Sequence, residues 1–243
     1  APFARYLSAL LWDASGEWNS SYVDYKKTYE LDPGFPNIGA DLIATARRQR
    51  FLDEESKWRE LFPGAEERGD PKKTGEVIVI CEKGRSPIKV PRPEVSNLPY
   101  YVSRSTEESG ARVLVNGTSH GETKVFIDIE KISYKWLEDR ISRMRTANMA
   151  SAAFKGGLAY GIGAETKNQD LGWIAFFALL ATDDADLRSW LTLPQNIQLK
   201  RVSLSPGVYD IEVETLVGTS PIQKFSFPSV QVKAGKKVFF CVR

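Results

Sequence analysis

The segment PFARYLSALLWDASGEWNSSYVDYKKTYELDPGFP, residues 2–36, carries the clearest structural pattern in the N-terminal region. Large side chains recur in it every three or four residues, which is the spacing of one face of an α-helix. They are Phe3, Tyr6, Leu7 and Leu10 in the first half, and Tyr22, Tyr25 and Tyr29 in the second. Gly16 interrupts the pattern and Asp32-Pro33-Gly34 ends it. The stretch therefore predicts two antiparallel helices joined by a short turn.

Small and aromatic residues of these two helices lie at the spacing of the tetratricopeptide repeat. The positions are Ala9, Trp12, Gly16, Ser21, Tyr25, Thr28 and Pro33. Because a single repeat cannot bury its apolar face alone, we expect it to pack on the rest of the chain or on another protein. The aromatic residues of its groove are predicted to bind a partner: Trp12, Tyr22, Tyr25 and Tyr29.

Further helical and β patterns divide the rest of the chain. Two more helices are predicted, one beginning at Ile38 and one ending at Pro63-Gly64. We therefore predict a TPR-like helical region at 1–63, a linker at 64–75, and a β-rich domain at 76–243 with a helical insertion at about 131–182. The linker, GAEERGDPKKTG, is charged and carries no periodic pattern.

Runs of alternating or continuous apolar residues predict the strands of the second domain. They are EVIVICE (76–82), ARVLVN (111–116), TKVFIDI (123–129), NIQLKRVSL (196–204), VYDIEVETL (208–216), KFSFPSVQV (224–232) and KKVFFCVR (236–243). The first run is almost entirely apolar, which indicates a strand buried on both faces. The predicted class is α+β: TPR-like helical hairpins, then an antiparallel, sandwich-like β-rich domain interrupted by a helical segment.

Composition excludes several classes of function. The chain has 243 residues and a net charge of +2, which argues against a dedicated nucleic-acid-binding protein. It has one histidine, so a metal site built from several histidines of one chain is impossible. A serine or cysteine nucleophile activated by histidine would depend on His120, which the sequence places in a loop. We expect no metal, no cofactor and no enzymatic activity, although a hydrolase that uses paired carboxylates needs no histidine.

A glycine-rich segment precedes an aromatic helix in the predicted insertion. The segment FKGGLAYGIGAE (154–165) has neither the order nor the preceding strand of a phosphate-binding loop. Gly157 and Gly161 have the spacing that lets membrane helices pack closely. Buried packing against the sheet is one interpretation. The other is a membrane-associating or self-assembling segment at 147–181, with contacts through Gly157, Gly161, Trp173, Phe176 and Phe177.

Cys81 and Cys241 are both predicted on strands. They are either two buried thiols or a disulfide between strands of one sheet, which requires an oxidising compartment.

Three blocks of the sequence resemble a family of uncharacterised bacterial lipoproteins that have a TPR-like N-terminus and a β-rich C-terminal domain. They are residues 2–36, GEVIVICEKGRSPIKVPRP (75–93) and DLRSWLTLPQNIQLKRVSLSPGVYDIEV (186–213). In that family a signal peptide and a lipid-modified cysteine precede this region, and neither is found in this sequence. The resemblance implies that the full-length protein is periplasmic. A lipid anchor outside this sequence would attach it to the outer membrane. It carries over no catalytic residue.

These observations favour a non-enzymatic accessory or scaffold protein of the cell envelope that binds a protein partner and no nucleic acid. The alternative is a membrane-associating or self-assembling protein that uses residues 147–181.

Overall fold

The computed structural model describes residues 1–92, 95–104, 106–141, 164–165 and 186–243. Its N-terminal helices are α1 (Pro2–Ser15), α2 (Trp18–Leu31), α3 (Ile38–Gln49) and α4 (Leu52–Leu61). Gly16 ends α1 with a φ of 87°, a left-handed conformation that glycine adopts at little cost. Each helix packs on the next one along the chain, so the predicted helical hairpins are confirmed.

Strands follow the helices, and a further helix lies among them in the part of the chain that the structure describes. The strands are β1 (Gly75–Lys83), β2 (Arg85–Arg92), β3 (Val95–Arg104), β4 (Gly110–Val115), β5 (Thr118–Glu122), β6 (Lys124–Asp128), β7 (Asn196–Leu204), β8 (Gly207–Val217), β9 (Ser220–Val232) and β10 (Lys237–Val242). Helix α5 begins at residue 129, after β6, and is described as far as residue 141. The predicted α+β class is confirmed.

Contacts divide the chain into two compact units. The first contains Ala1–Gly84, Glu107–Ile127 and Asn196–Arg243; the second contains Arg85–Thr106 and Asp128–Gln195. Residues 64–75, the predicted linker, connect α4 to β1 inside the first unit. Separate folding of residues 1–63 and 76–243 stays a prediction.

The first unit has two sheets and a helical layer. The central sheet has the strand order β10-β1-β7-β6, with β1 parallel to β10 and antiparallel to β7. The second sheet is antiparallel, in the order β5-β4-β8-β9. Val77 and Val79 of β1 belong to an apolar cluster between the two sheets, whereas Ile78 packs into the cluster under the helices. The prediction that β1 is buried on both faces is therefore confirmed.

The second unit contains a strand pair that the sequence patterns missed. β2 and β3 form an antiparallel pair with register shifts near both ends. Pro87, Pro91 and Pro99 lie within these strands, and proline cannot donate a ladder hydrogen bond, so it counts against a strand prediction. α5 belongs to this unit: the Tyr134 ring lies 5.7 Å from that of Tyr101 on β3.

Two local expectations need correction. His120 lies in the edge strand β5, exposed to solvent, and not in a loop, because the turn at Asn116-Gly117 is shorter than predicted. Cys241 is exposed and both cysteines are free. In the parallel pair, Cys81 lies opposite Val242 and Ile80 opposite Cys241, so the two thiols point to opposite faces of the sheet.

The segment 147–181 lies outside the described residues, apart from 164–165, and so do Gly157, Gly161, Trp173, Phe176 and Phe177. Among the helices that are described, none is long and apolar enough to cross a membrane.

Candidate functional site

The predicted partner-binding aromatics occupy two environments. Tyr22 and Tyr25 are buried, and Tyr29 packs its ring against Trp58 and Phe62, at 5.1 and 5.8 Å between ring centres. Trp12 is 43% exposed. The other helices thus cover most of the surface of the three tyrosines. Trp12 is the most exposed of the four predicted partner-binding residues.

The buried tyrosines differ in their hydrogen bonds. The Tyr22 hydroxyl donates to Glu54 Oε2 at 2.7 Å and accepts from Trp58 Nε1 at 2.9 Å. Burial is the main cause that raises the pKa of Tyr22 to about 12. The Tyr25 hydroxyl has no hydrogen-bond partner among the described residues. These phenols are built into the core.

Trp12 lies next to the α1–α2 turn, at the end of the helical layer where Trp18 begins α2. The backbone N–H of Glu17 donates to Trp12 O at 2.9 Å across the α1–α2 turn, and Trp18 begins α2. Gln49 Nε2 donates to Trp18 O at 3.1 Å, which brings in the end of α3. We call the four residues Trp12, Trp18, Phe51 and Leu52 the aromatic end.

Contacts along the face of α2 that carries Trp18 support the grouping of Trp18 with Phe51. Trp18 and Tyr22 are one turn apart, so they share a face of the helix. The ring of Phe51 lies 5.7 Å from that of Tyr22. Trp18 is 43% exposed, Phe51 39% and Leu52 71%. A cluster of large side chains left open to this degree is typical of an interaction surface.

A buried cluster of charges lies under the same helices, on the central sheet, and sequence patterns did not predict it. Alternation along the strands points Glu76 of β1, Arg201 of β7 and Lys237 of β10 toward the helices. Lys237 and Glu76 are direct partners in the parallel ladder. We call the ion centre the set formed by these three with four residues from the helical side: Asp13, Asp41, Arg48 and Arg68.

Arg201 joins the two halves of the ion centre. Its side chain is 3% exposed, and its Nε and Nη2 donate to the two carboxylate oxygens of Glu76 at 2.6 and 2.9 Å. Its Nη1 donates to Asp41 Oδ1 at 2.6 Å and to Tyr6 Oη at 3.0 Å. The planar guanidinium therefore ties β1 and β7 to α1 and α3.

The remaining cations bind Glu76, Asp41 and a third carboxylate, Asp13. Lys237 Nζ lies 2.5 Å from Glu76 Oε2 and 3.0 Å from Asp13 Oδ2. Arg48 is paired with the other oxygen of Asp13. Arg68 Nε donates to Asp41 Oδ1 at 2.9 Å. Each of the three carboxylates thus has two cationic partners.

The cations keep Glu76 ionised. Burial alone would raise the pKa of Glu76, but Arg201 and Lys237 hold it well below its usual range. Likewise, burial alone would lower the pKa of Arg201, but Asp41 and Glu76 raise it well above its usual value. A general acid needs a carboxyl pKa raised toward neutrality, so Glu76 is suited to holding charge and not to donating a proton.

A pocket of about 40 Å³ opens beside the ion centre. Its lining adds Thr45, Thr74, Ser203 and Lys236 to members of the ion centre. We call it the basic pocket. It contains no histidine, and no cluster of three metal-ligating side chains occurs among the described residues.

One sequence signal could have revealed the ion centre: a charge at a position whose neighbours two residues away are apolar and buried. Glu76 precedes Ile78 and Ile80, and Arg201 follows Leu199, all on one face. The imidazole of His120, the one candidate for nucleophile activation, makes no side-chain hydrogen bond or ion pair with another described residue.

No protein-family model, curated protein or solved structure matches this chain.

Proposed function

We propose that the chain is a non-enzymatic accessory protein of the bacterial cell envelope that binds a protein partner through the aromatic end. The observation that carries the proposal is the exposure of Trp12, Trp18 and Phe51, each about two fifths open, on neighbouring turns of one helical layer. Tryptophan is enriched at the centres of protein interfaces, where its burial supplies much of the binding energy.

The surroundings of Trp18 also support a binding role. Arg48 lies over its ring at 5.5 Å, which is within the range of a cation–π contact. The Arg48 guanidinium is also paired with Asp13, which holds it in position beside the indole. The indole is therefore held in place before a partner arrives, which lowers the conformational entropy lost on binding.

The placement in the cell envelope rests on the lipoprotein resemblance of residues 2–36, 75–93 and 186–213. The proposal of a protein without catalysis rests on the lowered pKa of Glu76 and on the isolation of His120 among the described residues.

The test is site-specific photo-crosslinking in intact bacterial cells that express the full-length protein. A photo-reactive amino acid replaces Trp18 in one variant and Ile222 in the control. Ile222 lies on β9 of the second sheet and is 54% exposed. We expect a discrete cross-linked partner from position 18 and none from position 222. Adducts of equal yield from both positions, or none from position 18, would contradict the proposal.

The identified partner then allows an affinity measurement. We expect Trp18→Ala to weaken binding about tenfold or more, the usual effect of removing an interface anchor. Ile222→Ala should leave the affinity unchanged. A cross-link from position 18 to a second copy of the chain would instead show that the aromatic end joins two copies, and would contradict binding of a different protein there.

A further inference from the structure

We propose that the basic pocket binds a phosphate group. The first observation is its charge. Five basic residues line the pocket, Arg48, Arg68, Arg201, Lys236 and Lys237, against three carboxylates, Asp13, Asp41 and Glu76. With all eight groups ionised, the lining carries 5 − 3 = +2. A partly buried site with this surplus attracts anions, because the protein around it screens charge less than water does.

The second observation is a set of unused donors. Arg48 Nε and Arg68 Nη2 are buried and have no hydrogen-bond partner among the described residues. Leaving a charged donor buried and unpaired is costly, so a nearby acceptor gains from binding there. Both nitrogen atoms are shielded from solvent in this structure, so the proposal requires each guanidinium to tilt its free N–H toward the anion while it stays paired, Arg48 with Asp13 and Arg68 with Asp41.

Ser203 and Lys236 complete the set of donors. Ser203 lies two residues after Arg201 on β7, hence on the same face, and its hydroxyl makes no hydrogen bond to another described residue. Lys236 is exposed at the rim of the pocket. Thr45 and Thr74 already donate their hydroxyl protons to backbone carbonyls. Two guanidiniums, one hydroxyl and one ammonium therefore remain for a ligand.

Size and geometry select the ligand class. One water molecule needs roughly 10–15 Å³ of cavity volume. A pocket of about 40 Å³ therefore holds a few water molecules or one tetrahedral oxyanion. Guanidinium groups bind phosphate through paired N–H donors, and the surplus of +2 attracts both inorganic phosphate, with between one and two negative charges, and the singly charged phosphodiester of a phospholipid. The phosphate is either free or the phosphodiester of a phospholipid headgroup.

The experiment is calorimetric titration of the folded protein with inorganic phosphate at constant ionic strength. Vesicles of phosphatidylglycerol, with phosphatidylcholine as the neutral reference, form a second arm. Lys236→Glu and Ser203→Ala are the test variants because neither residue belongs to the ion centre. Lys73→Ala is the control: this exposed lysine directly precedes Thr74 of the pocket lining but does not itself line the pocket.

We expect saturable phosphate binding that Lys236→Glu and Ser203→Ala each weaken by about tenfold and that Lys73→Ala leaves unchanged. Binding to phosphatidylglycerol vesicles alone, with the same dependence on Lys236, would assign the phosphate to a lipid headgroup. Binding to neither, or binding that Lys73→Ala weakens as much as Lys236→Glu does, would overturn the proposal. Trp12→Ala, which changes the aromatic end at a residue that does not line the pocket, should keep phosphate binding, so the outcome is independent of the partner proposed for the aromatic end.

Discussion

The two faces of the central sheet are built from alternate residues of the same strands, yet different interactions hold them. Toward the second sheet, Val77, Val79, Val202 and Val242 enter an apolar cluster, and the polar side chain buried beside Cys81 on this face, Gln198, is uncharged. Toward the helices, aromatic rings such as Tyr6 and Phe126 surround the ion centre.

The two faces contribute to the stability of the fold in different ways. Burying apolar side chains stabilises the fold directly. Burying ion pairs costs desolvation, and apolar residues of similar volume often stabilise a core equally well. A stable core therefore does not require charges at the positions of the ion centre, although breaking the existing pairs is costly. Both proposed binding surfaces lie on the helical side.

The largest expected effect comes from Arg201, since two buried carboxylates depend on it. Arg201→Met leaves Asp41 and Glu76 each with one cation fewer. We expect it to lower the free energy of unfolding by about 3–5 kcal/mol, measured by urea denaturation at neutral pH. A loss below about 1 kcal/mol, the range of a surface ion pair, would contradict the account of the charged face.

The matching change on the apolar face is Ile211→Ala, in β8 of the second sheet. Ile211 is fully buried, so truncation removes apolar contacts and leaves a cavity. We expect a loss of about 3 kcal/mol in the same measurement. The control is Val208→Ala on the same strand: Val208 is 62% exposed, and the change should be within about 0.5 kcal/mol.

The pH dependence of stability should also separate the two faces. The pKa of Glu76 is lowered in the folded protein from its ordinary value of 4.5. A lowered folded-state pKa contributes stability above the unfolded-state value, and that contribution is lost as the pH falls through the folded-state value.

Glu76→Gln should therefore lower the unfolding free energy by about 1–3 kcal/mol at neutral pH, and this deficit should shrink below the ordinary pKa. The deficit of Ile211→Ala should not depend on pH. Urea denaturation at a series of pH values measures both. A Glu76→Gln deficit that stays constant into acid would show that the charge of Glu76 does not matter.

The smallest expected effect is at Tyr25, the buried phenol without a partner. Tyr25→Phe removes an unsatisfied hydroxyl, so we expect the unfolding free energy to stay the same or rise by about 1 kcal/mol. Tyr6→Phe is the control because the Tyr6 hydroxyl donates to Asp41 and accepts from Arg201. This control should lose about 1–2 kcal/mol. Equal losses in both would give the Tyr25 hydroxyl a role that the described contacts lack.

Local patterns were sufficient to predict most elements of the fold. Gly16 and Asp32-Pro33-Gly34 separate α1, α2 and α3, and the alternation in β7 and β8 gave their bounds to within a residue or two. β2 and β3 were missed because Pro87, Pro91 and Pro99 make them unlike strands of a sheet interior.

Alternation marks Glu76 and Arg201 as charges on a buried strand face, but the pairing of charges in the ion centre could not be predicted because its members come from distant parts of the chain. Asp13, Asp41, Glu76 and Arg201 meet only after the helices pack on the central sheet. In the sequence, each is one charged residue among many. The burial of Tyr22 and Tyr25 was hidden for the same reason, since it depends on how α3 and α4 pack against α2.

A pair of double-mutant cycles tests the difference between the two faces most directly. One cycle combines Arg201→Met with Glu76→Gln on the charged face; the other combines Arg201→Met with Ile211→Ala across the central sheet. We predict a coupling free energy of about 1–3 kcal/mol in the first cycle and additivity within about 0.5 kcal/mol in the second. Additivity in the first cycle, or coupling of equal size in both, would contradict the account.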